Sequence, residues 1–203
     1  MDDSTLSADK AAKRRVILEA AVEIFARRGF FASRTRDIAE AAGVAEGTIY
    51  LYFEGKDDLL LTAFREEVTA FCGVADALLV EPGDFEEKLG RFVEMHFIGI
   101  EADPDLATVL LLESRQSTRF YGEPVREVLR EYAAAVDRLL ESGVVEGYVS
   151  KDVDIPLARR MLIGSLGELE LDWLLGPQNR SLLEQAPAVT RTFLHGVAAS
   201  ADD

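Results

Sequence analysis

Between Gly47 and Phe53 the chain reads GTIYLYF, with three hydroxyl-bearing side chains, Thr48, Tyr50 and Tyr52, at alternate positions. On a helix, residues two apart lie on different faces, so these three cannot all face a core, whereas Ile49 and Phe53, four apart, share one inward face. Outward hydroxyls and aromatic rings can hydrogen-bond phosphate oxygens and meet base edges in a major groove. Lys56 follows at the start of the next helical stretch. A cation there is opposed by the helix dipole, so an external anion explains it better than helix stability does. The alternative is that Tyr50 and Tyr52 are packing residues and Lys56 a solvated charge. Glu46 is the discordant position, because phosphates repel a carboxylate unless it reads a cytosine amino group.

Other chemistry is thin. Cys72, His96 and His195 stand far apart with no nucleophile motif around them, which argues against catalysis. Two histidines and one cysteine do not make a structural zinc site. Cys72 lies on the Val68/Ala75 face and reads as a small buried hydrophobe. Residues 85–132 carry an apolar set that includes Phe92, Met95, Phe97, Ile100, Leu112 and Phe120, interrupted by the polar string ESRQSTR at 113–119. An apolar cavity with a cationic mouth would suit an amphiphile with an anionic head; the same stripe also fits plain core.

The elements that must position these residues are helical throughout, since apolar spacing follows the helical period and no stretch alternates strictly. Helices are expected at 10–28, 35–42, 45–52, 56–79, 84–102, 104–116, 121–142, 155–175 and 181–199, with loops at 143–154 and 176–180. Gly29 and Gly43 close the first two, Glu81-Pro82-Gly83 breaks the chain, and Pro104 and Pro156 occupy first turns where no amide hydrogen is needed. Ala45 supplies no capping oxygen to the third helix. Two short helices joined by AAGVAEG (residues 41–47), after a longer supporting one, make a helix-turn-helix. The fold class is all-α, with a DNA-binding head at 10–56 and a ligand-binding and dimerisation body at 57–203.

The net charge of −15 is resolved by position. Residues 1–56 hold nine basic and nine acidic side chains, so the entire excess lies beyond Lys56. Residues 10–56 hold nine basic and six acidic side chains, a net of +3. The asymmetry fits a DNA-facing head on an acidic body, or simply a solvated surface. No apolar run approaches the roughly 20 residues of a membrane span. The acidic opening residues do not read as a secretory signal, and a single cysteine suits a reducing cytoplasm.

GVAEGTIYLYFEGKDDLL (residues 43–60) resembles the signature of the TetR family of transcriptional regulators, and residues 10–60 are similar to that family's whole DNA-binding domain. The resemblance implies a nine-helix dimeric repressor. Its third helix lies in the major groove, where Thr48, Tyr50 and Tyr52 touch phosphates and base edges and Lys56 grips a phosphate. Thr35 and Arg36 add contacts from the second helix, and Gly47 allows close approach to the duplex. It places the dimer interface on the last two long helices, with Gly164, Leu166, Leu169 and Trp173 from one and Phe193 and Val197 from the other. The partners implied are a pseudo-palindromic operator and a second copy of the chain, with no membrane.

MHF (95–97), LESRQS (112–117) and LARRMLIG (157–164) look like segments of the fatty-acid-degradation branch of that family. This likeness implies long-chain acyl-CoA as the effector, with no cofactor or metal. Its acyl chain would meet Phe92, Met95 and Leu112, while Arg115, Gln116 and Arg119 meet CoA phosphates with His96 and Tyr121 close by. The alternative is a TetR-type repressor of an efflux pump sensing a hydrophobic cation, for which Glu94, Glu101 and Glu113 would supply the acids.

Overall fold

The computed structural model describes residues 3–197, with side chains from residue 8 onward. Its helices are α1 (Asp3–Arg28), α2 (Thr35–Ala41), α3 (Glu46–Ile49), α4 (Lys56–Val80), α5 (Phe85–Ala102), α6 (Pro104–Thr108), α7 (Glu123–Glu146), α8 (Ile155–Leu175) and α9 (Ala186–Val197). No strand occurs among the described residues, so the all-α, nine-helix expectation holds. Positions 198–199 of the expected ninth helix lie outside the described residues.

One compact unit comprises Met1–Glu67 and Asp105–Val125. Its core gathers Ile17, Ala21, Phe25, Ile38, Ile49 and Leu60, with Val109 fully buried among them. Gly43 takes φ +66 in the turn between α2 and α3, a conformation open to glycine and strained for other residues. Ala45 precedes α3 as its N-cap residue and gives it no side-chain cap, as its sequence requires.

The expected division at 56/57 leaves residues 105–125 in the body, whereas in the structure they pack with the head. The reasons are Val109 in the head core and a set of polar anchors. Glu113 accepts the Phe30 backbone N–H at 2.6 Å. The Ser117 hydroxyl donates to Asp57 at 2.6 Å. Phe120 meets Phe64 edge-on with ring centroids 5.1 Å apart.

The expected single helix at 104–116 is also revised. After α6 the chain forms a π turn at Val109–Glu113 and 3-10 turns at Ser114–Gln116 and Thr118–Tyr121. Serine side chains compete with the backbone ladder here: the Ser114 hydroxyl bonds the Leu110 carbonyl at 2.8 Å, and Ser117 Oγ accepts the Arg119 N–H at 3.2 Å.

The second unit comprises Val68–Pro104 and Arg126–Asp203, with α5 packed against α8 and α9. Phe85, Leu89, Phe92, Phe97, Val136, Leu140, Leu162 and Leu166 are fully buried in it. Gly143, expected to open a loop, lies inside α7 instead. A Cβ there would stand 2.8 Å from ring carbons of Phe85, so the glycine permits close packing, and Gly147 at φ +83 ends the helix.

Asp84 caps α5 by accepting the Glu87 N–H at 3.0 Å and the Tyr148 hydroxyl at 2.8 Å. These hydrogen bonds, the backbone one first, hold its carboxyl below its ordinary pKa. A depressed folded-state pKa contributes stability that is present above the unfolded pKa and lost as pH falls through the folded one. Asp84→Asn is therefore expected to flatten the acid limb of a melting-temperature profile taken from pH 7 downward. An unchanged acid limb contradicts this.

Candidate nucleic-acid interface

Ile49 and Phe53 are buried, as their spacing predicts. Opposite them, Tyr50 is 55% exposed and Leu51 75% exposed; sequence reading missed Leu51, although the inward pair fixes its outward direction. Thr48 is half-buried and Arg36 exposed. Tyr52 is half-buried and packs on the head core, so its ring is in part a packing residue. Gly47 is exposed, and a Cβ built there meets nothing within 4 Å. The chain's own packing therefore does not require glycine, which leaves room for an approaching surface.

Thr35, at the start of α2, links this face together. Its hydroxyl donates to Glu46 at 2.8 Å and lies 3.2 Å from the Tyr50 hydroxyl. That link between residues 11 and 15 positions apart was not legible in the sequence.

Lys56 needs a correction. Its charge has an internal use that helical spacing does not reveal: the ammonium donates to the carbonyls of Phe30 at 2.9 Å, Phe31 at 3.3 Å and Ser33 at 3.3 Å. It also stands 4.4 Å from the Phe30 ring centroid. Lys56 thus fastens the 30–33 loop to α4, which offsets the unfavourable helix dipole.

The residues expected at a ligand fall into two groups, one in each compact unit. In the first unit, Leu112 and Gln116 are half-buried and Tyr121 is exposed, edge-on to Phe120. Arg119 is exposed and pairs with Glu54 at 3.4 Å, and Arg115 donates to the Leu111 carbonyl. In the second unit, Phe92 is fully buried and Met95 half-buried. His96 sits in a polar cluster that sequence reading missed. Its Nδ1 lies 3.1 Å from Glu170 Oε1 and its Nε2 lies 2.8 Å from the Tyr132 hydroxyl. Phe71 and Phe92 flank the imidazole with centroids 4.2 and 5.0 Å away.

Glu170 is only 3% exposed. Burial, reinforced by the Glu170 charge, raises the Tyr132 pKa and keeps the phenol protonated. The phenol O–H then donates to Nε2 while Nδ1–H donates to Glu170, an arrangement that satisfies all three groups. Burial likewise raises the Cys72 pKa, which keeps that thiol inert.

Two of the three acids required for a cationic ligand are engaged elsewhere. Glu113 bonds the Phe30 amide, and Glu101 accepts from the Ser181 hydroxyl and the Leu182 N–H. No group of three potential metal ligands occurs among the described residues, and no helix there is long and apolar enough to cross a membrane.

On α8, Ala158, Leu162, Leu166 and Glu170 are buried at every fourth position. Leu166 and Val197, expected at the dimer interface, are interior residues of the single chain. The helix phase turns them inward in the single chain. Gly164 is exposed, and Leu169, Trp173 and Phe193 are half-buried; Trp173 Nε1 donates to the Arg180 carbonyl at 2.7 Å. Leu157, Met161 and Leu175 add exposed apolar surface on α8 that was not anticipated.

The family described as bacterial regulatory proteins, tetR family, matches residues 17–63, and the YsiA-like protein C-terminal region matches residues 64–196. The chain is 34% identical over 188 residues to the fatty acid metabolism regulator protein of Bacillus subtilis, covering 93% of this chain and 97% of that one. Among solved structures it is similar to the fatty acid degradation regulator FadR of Bacillus halodurans, with TM-score 0.86 and 37% identity over 93% of this chain and 97% of that one. It is also similar to FadR of Bacillus subtilis in complex with stearoyl-CoA, with TM-score 0.83 and 33% identity over 90% and 98% of the two chains.

Proposed function

The chain belongs to the TetR family of bacterial regulatory proteins, and from that premise we propose that it is a cytoplasmic repressor of fatty-acid-degradation genes, released from its operator by long-chain acyl-CoA. The observation that carries this reading is the likeness, over nine-tenths of both chains, to a regulator crystallised with stearoyl-CoA. The protein is a regulator rather than an enzyme. DNA is gripped through Thr35, Arg36, Gly47, Thr48, Tyr50, Tyr52 and Lys56. One head covers few base pairs, so two copies act on half-sites about 34 Å apart. The exposed apolar residues Leu157, Met161 and Leu175 of α8, together with Gly164, Leu169, Trp173 and Phe193, supply the dimer contact.

A ligand releases DNA only by binding better to a form whose heads misfit the operator. Residues 105–125 are suited to transmit that preference. They carry Leu112, Arg115, Gln116, Arg119 and Tyr121 of the expected ligand set, and they hold the Phe30 amide through Glu113 and Asp57 through Ser117. Ligand contact with this segment would strain the end of α1 and the start of α4 together. The paired state of Glu101 and Glu113 gives the cationic-drug alternative no support.

Calorimetric titration tests the ligand. Stearoyl-CoA is expected to bind at micromolar or lower concentration with one site per chain, while CoA and free stearate bind far more weakly, since both the apolar tail and the phosphates contribute. Absence of stearoyl-CoA binding by a chain that still binds operator DNA sinks the effector. A monomeric mass by light scattering at micromolar concentration sinks the dimer.

A further inference from the structure

We propose that Glu46 reads a cytosine in the operator half-site, held in place for that task by Thr35 and Tyr50; this inference rests on the DNA-binding reading above. Glu46 and Tyr50 both belong to the α3 region, and Thr35 begins α2. The Thr35 hydroxyl donates to Glu46 Oε1 at 2.8 Å. With that proton committed, the oxygen of Thr35 accepts from the Tyr50 hydroxyl, 3.2 Å away. The order Tyr50, Thr35, Glu46 is therefore a directed chain of donors that ends on a carboxylate.

Three consequences follow from charge and geometry. First, the carboxylate lies within the surface formed by the DNA-contacting residues, because Thr35 holds it there directly and Tyr50 meets Thr35. Second, no cation among the described residues pairs with it, and Glu46 is exposed, so its charge is left for something outside the chain. Third, a fixed negative charge on this surface is repelled by phosphates, and the favourable partner it can meet there is a base-edge donor. In the major groove the cytosine N4 amino group is the donor that a carboxylate accepts from. Thr35 holds one carboxylate oxygen and leaves the second open to receive that hydrogen bond. The tether also limits the side-chain freedom that would otherwise be lost on binding.

The test is selection of duplexes randomised across one half-site, followed by anisotropy titrations at fixed salt with the full-length dimer. The wild-type chain is expected to show one position where C·G is favoured over the other pairs by on the order of tenfold. Glu46→Gln keeps its amide oxygen on Thr35 and turns an NH2 donor toward the base, so the preference at that position alone is expected to move away from C·G toward pairs that present an acceptor there. The amide oxygen introduced by Glu46→Gln still accepts from Thr35, so the variant's melting temperature stays at the wild-type value and the shift is not a folding effect. Thr35→Val unties the carboxylate and is expected to reduce discrimination at the same position more than at any other. If Glu46→Gln leaves every preference in place, or changes affinity for all sequences alike as a charge acting on phosphates would, the inference is overturned while the DNA-binding reading stands. If the wild-type chain selects no duplex at all, both are overturned.

Discussion

His96→Phe is expected to destabilise the protein by about 3 kcal/mol or more, a fall in melting temperature of roughly 6–12 °C for a chain of this size. The substitution keeps an aromatic ring between Phe71 and Phe92, so it leaves little cavity. What it removes is the hydrogen-bonding bridge between Glu170 and Tyr132. Glu170 is almost wholly buried, and a buried carboxylate without its partner carries its full desolvation cost. Adding Glu170→Leu is expected to recover the part of the loss that comes from the unpaired carboxylate, while the Tyr132 hydroxyl still lacks its His96 partner. Thermal unfolding of the two variants checks the account: His96→Phe melting with the wild type would show that the cluster adds nothing.

Lys56→Ala is expected to damage two properties together. The ammonium serves three carbonyls of the 30–33 loop and the face of Phe30. Losing charge-assisted hydrogen bonds of this kind destabilises the head by about 1.5–3 kcal/mol. Operator affinity is expected to fall tenfold or more, through the loosened loop and the positive charge lost from the DNA-facing head. Tyr50→Ala separates the two effects. The Tyr50 ring is exposed and its hydroxyl meets only Thr35 among the described residues, so operator affinity falls while the melting temperature holds. Unchanged affinity in both variants, with the fold intact, contradicts the assignment of this face to DNA.

These two predictions draw on different degrees of legibility in the sequence. The outward direction of Tyr50 was readable because it is local: Ile49 and Phe53, four apart, are buried and turn Tyr50 out, whereas Tyr52, also expected outward, packs in part on the head core. α8 was readable for the same reason, with Asp154 accepting the Leu157 N–H at 3.0 Å and Pro156 marking its start. The partners of His96 were not readable, since Glu170 lies 74 positions and Tyr132 36 positions away, and helical period gives no such pairing. Gly143 was misread because a glycine that ends a helix and one that admits a neighbouring ring look alike in sequence. Residues 109–121 were misread because apolar spacing cannot register serine hydroxyls that take over backbone partners. Leu166 on α8 and Val197 on α9 turn into the single chain's own core, because both helices are apolar on more than one face and only packing distinguishes the inward one.

The most direct measurement is release of a labelled operator duplex from the purified dimer as acyl-CoA of C12 to C18 chain length is added. Displacement at micromolar acyl-CoA, with CoA and free fatty acid far less effective at the same concentrations, is the predicted result. An operator complex that persists through micromolar acyl-CoA of every length in that range would contradict the proposal.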